Sequence, residues 1–193
     1  MYKLCKTEQS ASRQHELEAG LLAAMTLRRY DEISVSDLCD QLGVPRKSFY
    51  RYFSRKDGAL HALLDHTLME YEASPSLTAP GEKRTPQKEL ERFFLFWIEK
   101  KPLLDVLRRN HLSDMLIERA IAYTLSAAVL PQRFLAQDER EVQEQVTTFA
   151  VCGLMCMVLN WHHTGYPHSA GHMARMAARL VSQPLFPNIN ELL

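Results

Sequence analysis

The amino-acid sequence predicts an all-α protein. Apolar residues recur at spacings of three and four along almost the whole chain, whereas alternation of apolar and polar residues over a strand length is hard to find. Clear helix-start and helix-stop signals separate the apolar runs. The 193 residues are 46% hydrophobic and 24% charged, with only 7 Gly and 9 Pro, which excludes collagen-like, low-complexity and wholly disordered chains.

Two helices are predicted first. One spans about Arg13 to Arg28 and places its apolar residues on a single stripe. The second is only about two turns long. Ser34 and Asp37 form a capping-box pattern at its start, and Gly43 supplies the left-handed residue that ends it.

A third and a fourth helix follow closely. Pro45 suits the first turn of the third helix, which reaches about Tyr52, because the missing N–H of proline would be unpaired there in any case. The fourth helix starts near Arg55 and carries leucines on one side. After it, prolines and small polar residues from 74 to 86 predict a linker.

The second half predicts five more helices. The aromatic helix around Phe93 to Ile98 is apolar on both sides, with Leu95 and Phe96 opposite its main stripe, so we expect protein to surround it. Capping residues and prolines predict the others near Pro102 to Arg109, Ser113 to Val129 with Pro131 ending it, Asp138 (paired with Glu141 in a capping box) to His163, and Ser169 to Val181.

The segment from Ile33 to Lys56 predicts DNA binding. Two short helices joined by a glycine-containing turn form a helix-turn-helix, whose second helix can enter a major groove. Between Val44 and Lys56 there are five basic residues and no acid, although Lys+Arg (23) and Asp+Glu (23) cancel over the whole chain. With Phe49 and Phe53 expected to point inward, the predicted DNA-binding residues are Arg46, Lys47, Ser48, Tyr50, Arg51, Tyr52 and Lys56.

The order of these residues resembles a known signature. Ile33-Ser-Val-x-Asp-Leu38, Gly43-Val44, Ser48-Phe49-Tyr50-x-Tyr52-Phe53, then Lys56 and Leu60 are similar to the DNA-binding region of the TetR/AcrR family of transcriptional regulators, over about residues 17 to 68. The resemblance implies that Tyr50 and Lys56 contact phosphate, and that Arg46, Lys47, Ser48 and Tyr52 contact bases or backbone. Arg29 and Pro45 depart from the family pattern, in which a glycine and a hydroxyl residue stand.

The resemblance also implies the organisation of the chain and its mode of action. We expect a helix-turn-helix domain over 1–54, a connecting helix over 55–73, the linker over 74–86, and an effector-binding and dimerisation domain over 87–193. The expected partners are double-stranded DNA carrying a palindromic operator, a second copy of the chain, and a small apolar or amphipathic effector. Repression is the family's usual mode, and we expect the effector to shift the population toward a state that fits DNA poorly.

Two predicted sites lie in the C-terminal half. An apolar seam at helical spacing on the two last helices predicts a homodimer interface made by Phe149, Gly153, Leu154, Val158, Trp161, Met173, Met176 and Leu180. Aromatic and flexible side chains with a few polar groups predict an effector pocket lined by Phe93, Phe94, Trp97, His111, Tyr123, Met155 and Met157. An internal core is the alternative interpretation of both sets.

Other functions find little support in the sequence. No catalytic triad order, phosphate-binding loop or zinc-protease motif is visible, so we expect no enzyme, no catalytic residue and no cofactor. His168 and His172 have ligand-compatible spacing but no carboxylate is interleaved, so no metal site is predicted. The longest stretch without a polar side chain, from Phe149 to Leu159, is too short to span a membrane. A cytoplasmic protein with four reduced cysteines is expected.

Two alternatives from other classes stay open on the sequence. One is a small all-α enzyme or carrier that holds an apolar substrate in the aromatic cluster, with the basic segment incidental. The other keeps the fold but acts as a co-regulator that binds a protein partner. Salt-sensitive duplex binding that depends on Lys47 and Tyr50 distinguishes a DNA-binding regulator from both.

Overall fold

The computed structural model of the chain describes residue 2 and residues 7–77, 85–126 and 137–182, and within these residues it is all-helical, as predicted. No strand occurs among them; Tyr2 and Phe53 form an isolated bridge. The α-helices are α1 (Glu8–Leu27), α2 (Val35–Gln41), α3 (Arg46–Tyr52), α4 (Lys56–Ala73), α5 (Pro86–Glu99), α6 (Lys101–Arg109), α7 (Ser113–Ser126), α8 (Gln137–His163) and α9 (Ala170–Ser182).

The chain packs as two compact units. The N-terminal unit comprises Met1–Glu70 and Leu103–Tyr123, and the C-terminal unit comprises Tyr71–Pro102 and Thr124–Leu193. Most of α6 and α7 therefore packs with the N-terminal unit, although both helices follow the predicted linker in sequence. The predicted domain boundaries at residues 54, 73 and 86, which assign DNA binding, connection and effector binding to successive segments, stay a prediction.

Some predicted features lie outside the described residues. These are the middle of the linker (78–84), the helix end near Val129 with Pro131, and the last residues of the chain (183–193). The side chain of Asp138, the first residue of the predicted second capping box, is also outside the described set.

In the N-terminal unit, α1 begins earlier than its apolar stripe indicated. The side chain of Thr7 caps it by accepting a hydrogen bond from the Ser10 N–H at 3.2 Å. Leu17, Leu21 and Met25 are fully buried along the inner face. Gly20 lies where a Cβ would come within 2.6 Å of the Leu42 side chain, so the absence of a side chain permits close packing between α1 and the end of α2.

The turn between α2 and α3 forms as the sequence predicts. Both hydrogen bonds of the capping box between Ser34 and Asp37 are present, and Gly43 has a φ of 63°. A short 3-10 helix (Tyr30–Glu32) before α2 was not predicted from the sequence.

Long-range polar contacts attach α6 and α7 to the rest of the N-terminal unit. Arg119 of α7 donates from Nε to Asp65 of α4 at 2.7 Å, and the Tyr2 hydroxyl donates to the same carboxylate at 2.7 Å. Asn110 accepts the backbone N–H of Tyr30 at 2.6 Å. These groups join segments that are 54 to 80 residues apart.

Aromatic packing dominates the C-terminal unit. Phe94 of α5 meets Trp161 of α8 edge to face at 5.7 Å, and the Trp161 indole N–H donates to the carbonyl of His168 at 3.0 Å. The expectation that protein surrounds α5 is wrong within this unit, because Leu95 is 39% and Ile98 is 36% exposed. By length and composition alone, Glu139–His163 of α8 is apolar enough to cross a membrane, although few of its residues are buried.

Candidate nucleic-acid interface

The outer face of α3 is cationic and exposed. Arg46, Lys47 and Arg51 are exposed, and Tyr50 beside them is 47% exposed. The sequence of α3 contains no acidic residue. Among the described residues, none of these three cations forms an ion pair. Their charge is therefore available to a polyanion.

Two buried phenyl rings hold that face outward. Phe49 and Phe53 are completely buried and pack at a centroid distance of 5.1 Å. Since Phe49 and the exposed Tyr50 are neighbours in one helix, burial of the first directs the second away from the core. The Tyr50 ring meets Phe49 edge to face at 5.7 Å, which restricts the position of its hydroxyl.

Tyr52 and Ser48 lie differently from the other predicted DNA contacts. The Tyr52 side chain is only 7% exposed and packs on Phe53 at 6.3 Å, because its position brings it to the inner side of the short helix. The Arg51 guanidinium lies 6.0 Å from the centre of the same ring. Ser48 is partly buried. The structure thus presents Tyr52 as a support for Arg51 and does not present it as an exposed residue.

Lys56 is the clearest difference from the expected arrangement. Its ammonium donates to the carbonyls of Tyr30 and Ile33, the latter at 2.7 Å, and lies 4.1 Å from the centre of the Tyr30 ring. In this structure it therefore connects the start of α4 to the segment before α2. Burial lowers the pKa of Lys56, an effect that Asp57 and Asp31 oppose.

Tyr30 completes this connection. Its hydroxyl donates to Asp57 at 2.6 Å, and burial, with that hydrogen bond, raises its pKa. No sequence signal predicts this network, because Tyr30 has no fixed spacing to Lys56 or Asp57. Its effect is to fix the first turn of α4 beside the segment that precedes α2.

The described geometry is that of a helix-turn-helix DNA-binding protein: a short cationic helix, supported by buried rings, follows a tight glycine turn. The family model of bacterial regulatory proteins, tetR family, matches residues 22–63, which include α2, the turn and α3. No curated protein sequence matches the chain significantly.

Solved structures of other proteins share the fold of this chain. The chain is similar to the dihydroxyacetone kinase operon activator DhaS, with a TM-score of 0.55, 13% identity, and coverage of 88% of this chain and 94% of that one. A tetR-family transcriptional regulator from Streptomyces coelicolor has a TM-score of 0.51 and 19% identity over 88% and 78% of the two chains. The TetR family repressor AlkX from Dietzia sp. strain DQ12-45-1b, described as implicated in biodegradation of n-alkanes, has a TM-score of 0.54 and 14% identity over 88% and 93%.

The helix-turn-helix region of the chain thus matches the tetR family of bacterial transcriptional regulators over residues 22–63, as the sequence predicted. Regulators of this family are DNA-binding transcription factors and not enzymes, and they are in general soluble cytoplasmic proteins. The alternative of a small enzyme is therefore set aside.

The residues predicted to form a dimer interface divide into two groups. Phe149, Gly153 and Leu180 are exposed, with Phe149 67% and Leu180 51% exposed. Leu154 and Met176 are partly buried. Val158, Trp161 and Met173 are buried within the C-terminal unit itself, at 0%, 2% and 5% exposure. The last three are core residues of one chain, because α5 packs against this part of α8 and α9.

The residues predicted to line an effector pocket are divided between the two units. In the C-terminal unit, Phe94, Trp97 and Met155 are buried, while Phe93 and Met157 are partly buried. His111 and Tyr123 belong to the N-terminal unit, where His111 is exposed at a φ of 57° and Tyr123 is partly buried. The buried Trp97 indole N–H has no hydrogen-bond partner among the described residues.

Proposed function

We propose that this regulator binds a palindromic operator as a homodimer in the cytoplasm, inserts α3 of each subunit into a major groove, and is released by a small apolar or amphipathic effector. The observation that carries the proposal is the outer face of α3, where Arg46, Lys47 and Arg51 remain exposed and free of ion pairs within the described residues. Such a face is attracted to phosphate and to guanine edges in a groove.

Because this attraction is electrostatic, the affinity for DNA should fall measurably as the salt concentration rises. If one protomer neutralises about four to six phosphates, each contact contributes about 0.9 to the slope of log affinity against log salt. Removal of one phosphate-contacting side chain should lower that slope by about 0.9. A base-reading side chain should instead change sequence preference with little change of slope.

Selection of duplexes from a random pool tests the DNA partner directly. We expect a palindromic consensus whose half-sites lie about one helical turn apart, because a two-fold dimer presents two recognition helices. Lys47→Ala and Tyr50→Phe should weaken binding to the selected duplex, whereas Lys88→Ala, which removes a partly buried lysine from α5, should leave it unchanged. Equal binding by all three variants would contradict the assignment of α3.

The exposed side of α8 supports the homodimer. Val142, Val146 and Phe149 are 63%, 54% and 67% exposed and follow one another at spacings of four and three, so they share one face. Gly153 continues that face and leaves open space where a Cβ would stand. An apolar row of this kind is typical of a surface that a protein partner covers. A second copy of the same row satisfies it with two-fold symmetry.

The C-terminal unit supports an effector site of mainly apolar character. Phe93 packs on Tyr71 and Phe94 edge to face at 5.7 and 5.3 Å, and Trp97 adds an indole N–H that is buried without a partner among the described residues. A buried donor without a partner costs free energy, which a ligand acceptor can recover. Isothermal titration with alkyl and aryl carboxylic acids, esters and alcohols, using Trp97→Phe as the comparison, tests this assignment.

The sign of regulation is a separate point. Of the two structural neighbours whose titles give a role, one is named an operon activator and the other a repressor. We propose repression, the usual mode of the family. A reporter gene placed behind the selected operator should be expressed more strongly when the regulator is deleted, and lower expression on deletion would identify an activator.

A further inference from the structure

Two histidines and a glutamate meet in the N-terminal unit. His15 and Glu18 lie one turn apart on α1, and His66 lies on α4. Glu18 Oε2 is 2.8 Å from His66 Nδ1 and 3.3 Å from His15 Nδ1, and the two imidazole rings are 4.5 Å apart. One ligand atom from each of the three side chains falls within 4.8 Å of the others.

The glutamate is the unusual member of this cluster. Its side chain is 2% exposed, and its Oε1 atom is buried without a hydrogen-bond partner among the described residues. A buried carboxylate is costly unless charges and hydrogen bonds compensate it. His66 supplies a hydrogen bond to Oε2 and His15 lies 3.3 Å from the same oxygen, so Oε1 is the carboxylate atom without a partner among the described residues. A divalent cation at this carboxylate would supply the missing charge.

The spacing of the atoms fits a tetrahedral ion. Zinc binds imidazole nitrogen and carboxylate oxygen at about 2.0 to 2.2 Å, so neighbouring ligand atoms of a tetrahedron lie about 3.3 to 3.5 Å apart. The distance from His15 to Glu18 already has this value at 3.3 Å, and the distance from His66 to Glu18 needs to lengthen by about half an ångström from 2.8 Å. We propose that His15, Glu18 and His66 bind a divalent transition-metal ion of the zinc class.

The ligand types and the exposure define the ion and its access. Imidazole nitrogen favours zinc, copper, nickel and cobalt, whereas magnesium and calcium prefer all-oxygen sites. The His15 side chain is 56% exposed and the His66 side chain 24% exposed, so the ion can enter from solvent beside His15. Three protein ligands leave a fourth position for water or an exogenous ligand.

The consequence would be a metal-dependent connection between α1 and α4. Both helices belong to the N-terminal unit, and α4 begins directly after α3. An ion that binds the folded unit and not the unfolded chain stabilises the folded state by mass action. No metal-binding motif is visible in the sequence for this cluster, because His66 comes from a different helix, 48 residues beyond Glu18.

Titration of untagged full-length protein with ZnCl2, followed by calorimetry and by thermal unfolding, tests the proposal. We expect one site per chain and a rise of Tm with zinc. Co2+ in place of zinc should give the visible absorption of a tetrahedral site. His15→Ala removes a side chain that is more than half exposed, so the variant should fold normally. It should nevertheless weaken zinc binding by about 100-fold or more, because loss of a residue that merely supports a metal ligand costs only about 10- to 100-fold.

The matched control is the double variant His168→Ala, His172→Ala, which removes the stacked histidine pair at the start of the C-terminal α9 region. It should bind zinc as the unaltered protein does. Unchanged binding by His15→Ala, loss of binding in the double variant alone, or no saturable site at micromolar zinc would each overturn the proposal. His66→Gln, which keeps a hydrogen-bonding group beside Glu18, should behave as His15→Ala does.

Discussion

Helices α3 and α8 expose side chains of opposite character. The outer face of α3 carries Arg46, Lys47 and Arg51, whereas the outer face of α8 carries Val146 and Phe149. Charged groups remain hydrated at no cost, so the first face is stable without a partner and attracts one electrostatically. Exposed apolar area costs about 25 cal/mol per Å² relative to burial, so the second face gains free energy whenever a partner covers it. Binding of a partner to the α3 face should therefore depend on salt concentration. Binding of a partner to the α8 face should depend on protein concentration.

The two units also differ in what stabilises them. In the N-terminal unit, Asp65 joins Arg119 and Tyr2 across long sequence separations. In the C-terminal unit, rings such as Phe94 and Trp161 meet edge to face. A polar connection fails when one partner is removed, because the other is left buried and unpaired. An aromatic core loses stability in proportion to the volume removed.

The largest expected effect comes from replacing a phenylalanine by alanine, once in α3 and once in α8. Phe49→Ala removes a fully buried ring behind the cationic face of α3 and should lower the free energy of unfolding of the N-terminal unit by about 3 to 5 kcal/mol. Phe149→Ala removes a ring that is 67% exposed in the single chain and should change the free energy of unfolding of the C-terminal unit by less than about 0.5 kcal/mol. Urea unfolding followed by circular dichroism measures both.

The same two variants, Phe49→Ala and Phe149→Ala, distinguish an effect on folding stability from an effect on dimer formation. If Phe149 lies at the centre of the proposed dimer interface, its loss should cost at least about 2 kcal/mol of association, or about 30-fold in the dimer dissociation constant. Sedimentation velocity over a concentration series measures that constant. Similar losses of folding stability in the two variants would show that the face of α8 is not the open surface described.

The next effect concerns the polar connection of the N-terminal unit. Asp65→Asn leaves the Arg119 guanidinium without its carboxylate. Loss of one partner of a buried pair costs about 3 to 5 kcal/mol, and because the Arg119 side chain is 31% exposed, we expect about 2 kcal/mol here. Thermal unfolding measures the loss.

Two further variants sharpen that result. Glu16→Gln breaks the exposed pair with Arg13, in which both side chains are about half exposed, and should cost less than about 1 kcal/mol. Adding Arg119→Met to Asp65→Asn removes the unpaired charge and should restore part of the lost stability. A double variant less stable than Asp65→Asn alone would argue against uncompensated charge as the cause.

Local signals explain why so much of the helix-turn-helix was predictable. The capping box of Ser34 and Asp37, the left-handed Gly43 and the inward pair Phe49 and Phe53 each depend on residues within one or two turns of each other. Spacing in sequence therefore determines their geometry. The family resemblance added the expected contacts of Lys56, which the structure places in an intramolecular connection.

Features that depend on tertiary packing were not predictable in the same way. The heptad-like seam of α8 contains both Phe149, which is exposed, and Trp161, which is buried, and periodicity alone does not tell which part of a long apolar helix its own chain covers. Lys56 meets the carbonyl of Ile33, and His66 meets Glu18, because the fold brings distant segments together. No spacing in the sequence encodes either contact.

The smallest expected effect tests the most local of these contacts, the capping box at the start of α2. Asp37 accepts hydrogen bonds from the Ser34 hydroxyl at 2.7 Å and from the Ser34 backbone N–H at 2.9 Å. These bonds, with a smaller contribution from Arg28, lower the pKa of Asp37. Because the folded value lies below the unfolded one, ionised Asp37 stabilises the folded state above the ordinary aspartate pKa of about 3.9.

That contribution should disappear as the pH falls through the lowered pKa, since both states are then protonated. Urea midpoints of the unaltered chain and of Asp37→Asn should therefore differ at neutral pH and converge in acid. Asp40→Asn, at an exposed position on the same helix, removes an equal charge without the hydrogen bonds to Ser34 and should keep the pH profile of the unaltered chain. A difference for Asp37→Asn that persists unchanged at a pH where Asp37 is protonated in both states would mean that the amide fails for steric reasons. In that case the ionised carboxylate would not be what begins α2, and the rigid support beneath the cationic face of α3 would have to come from packing alone.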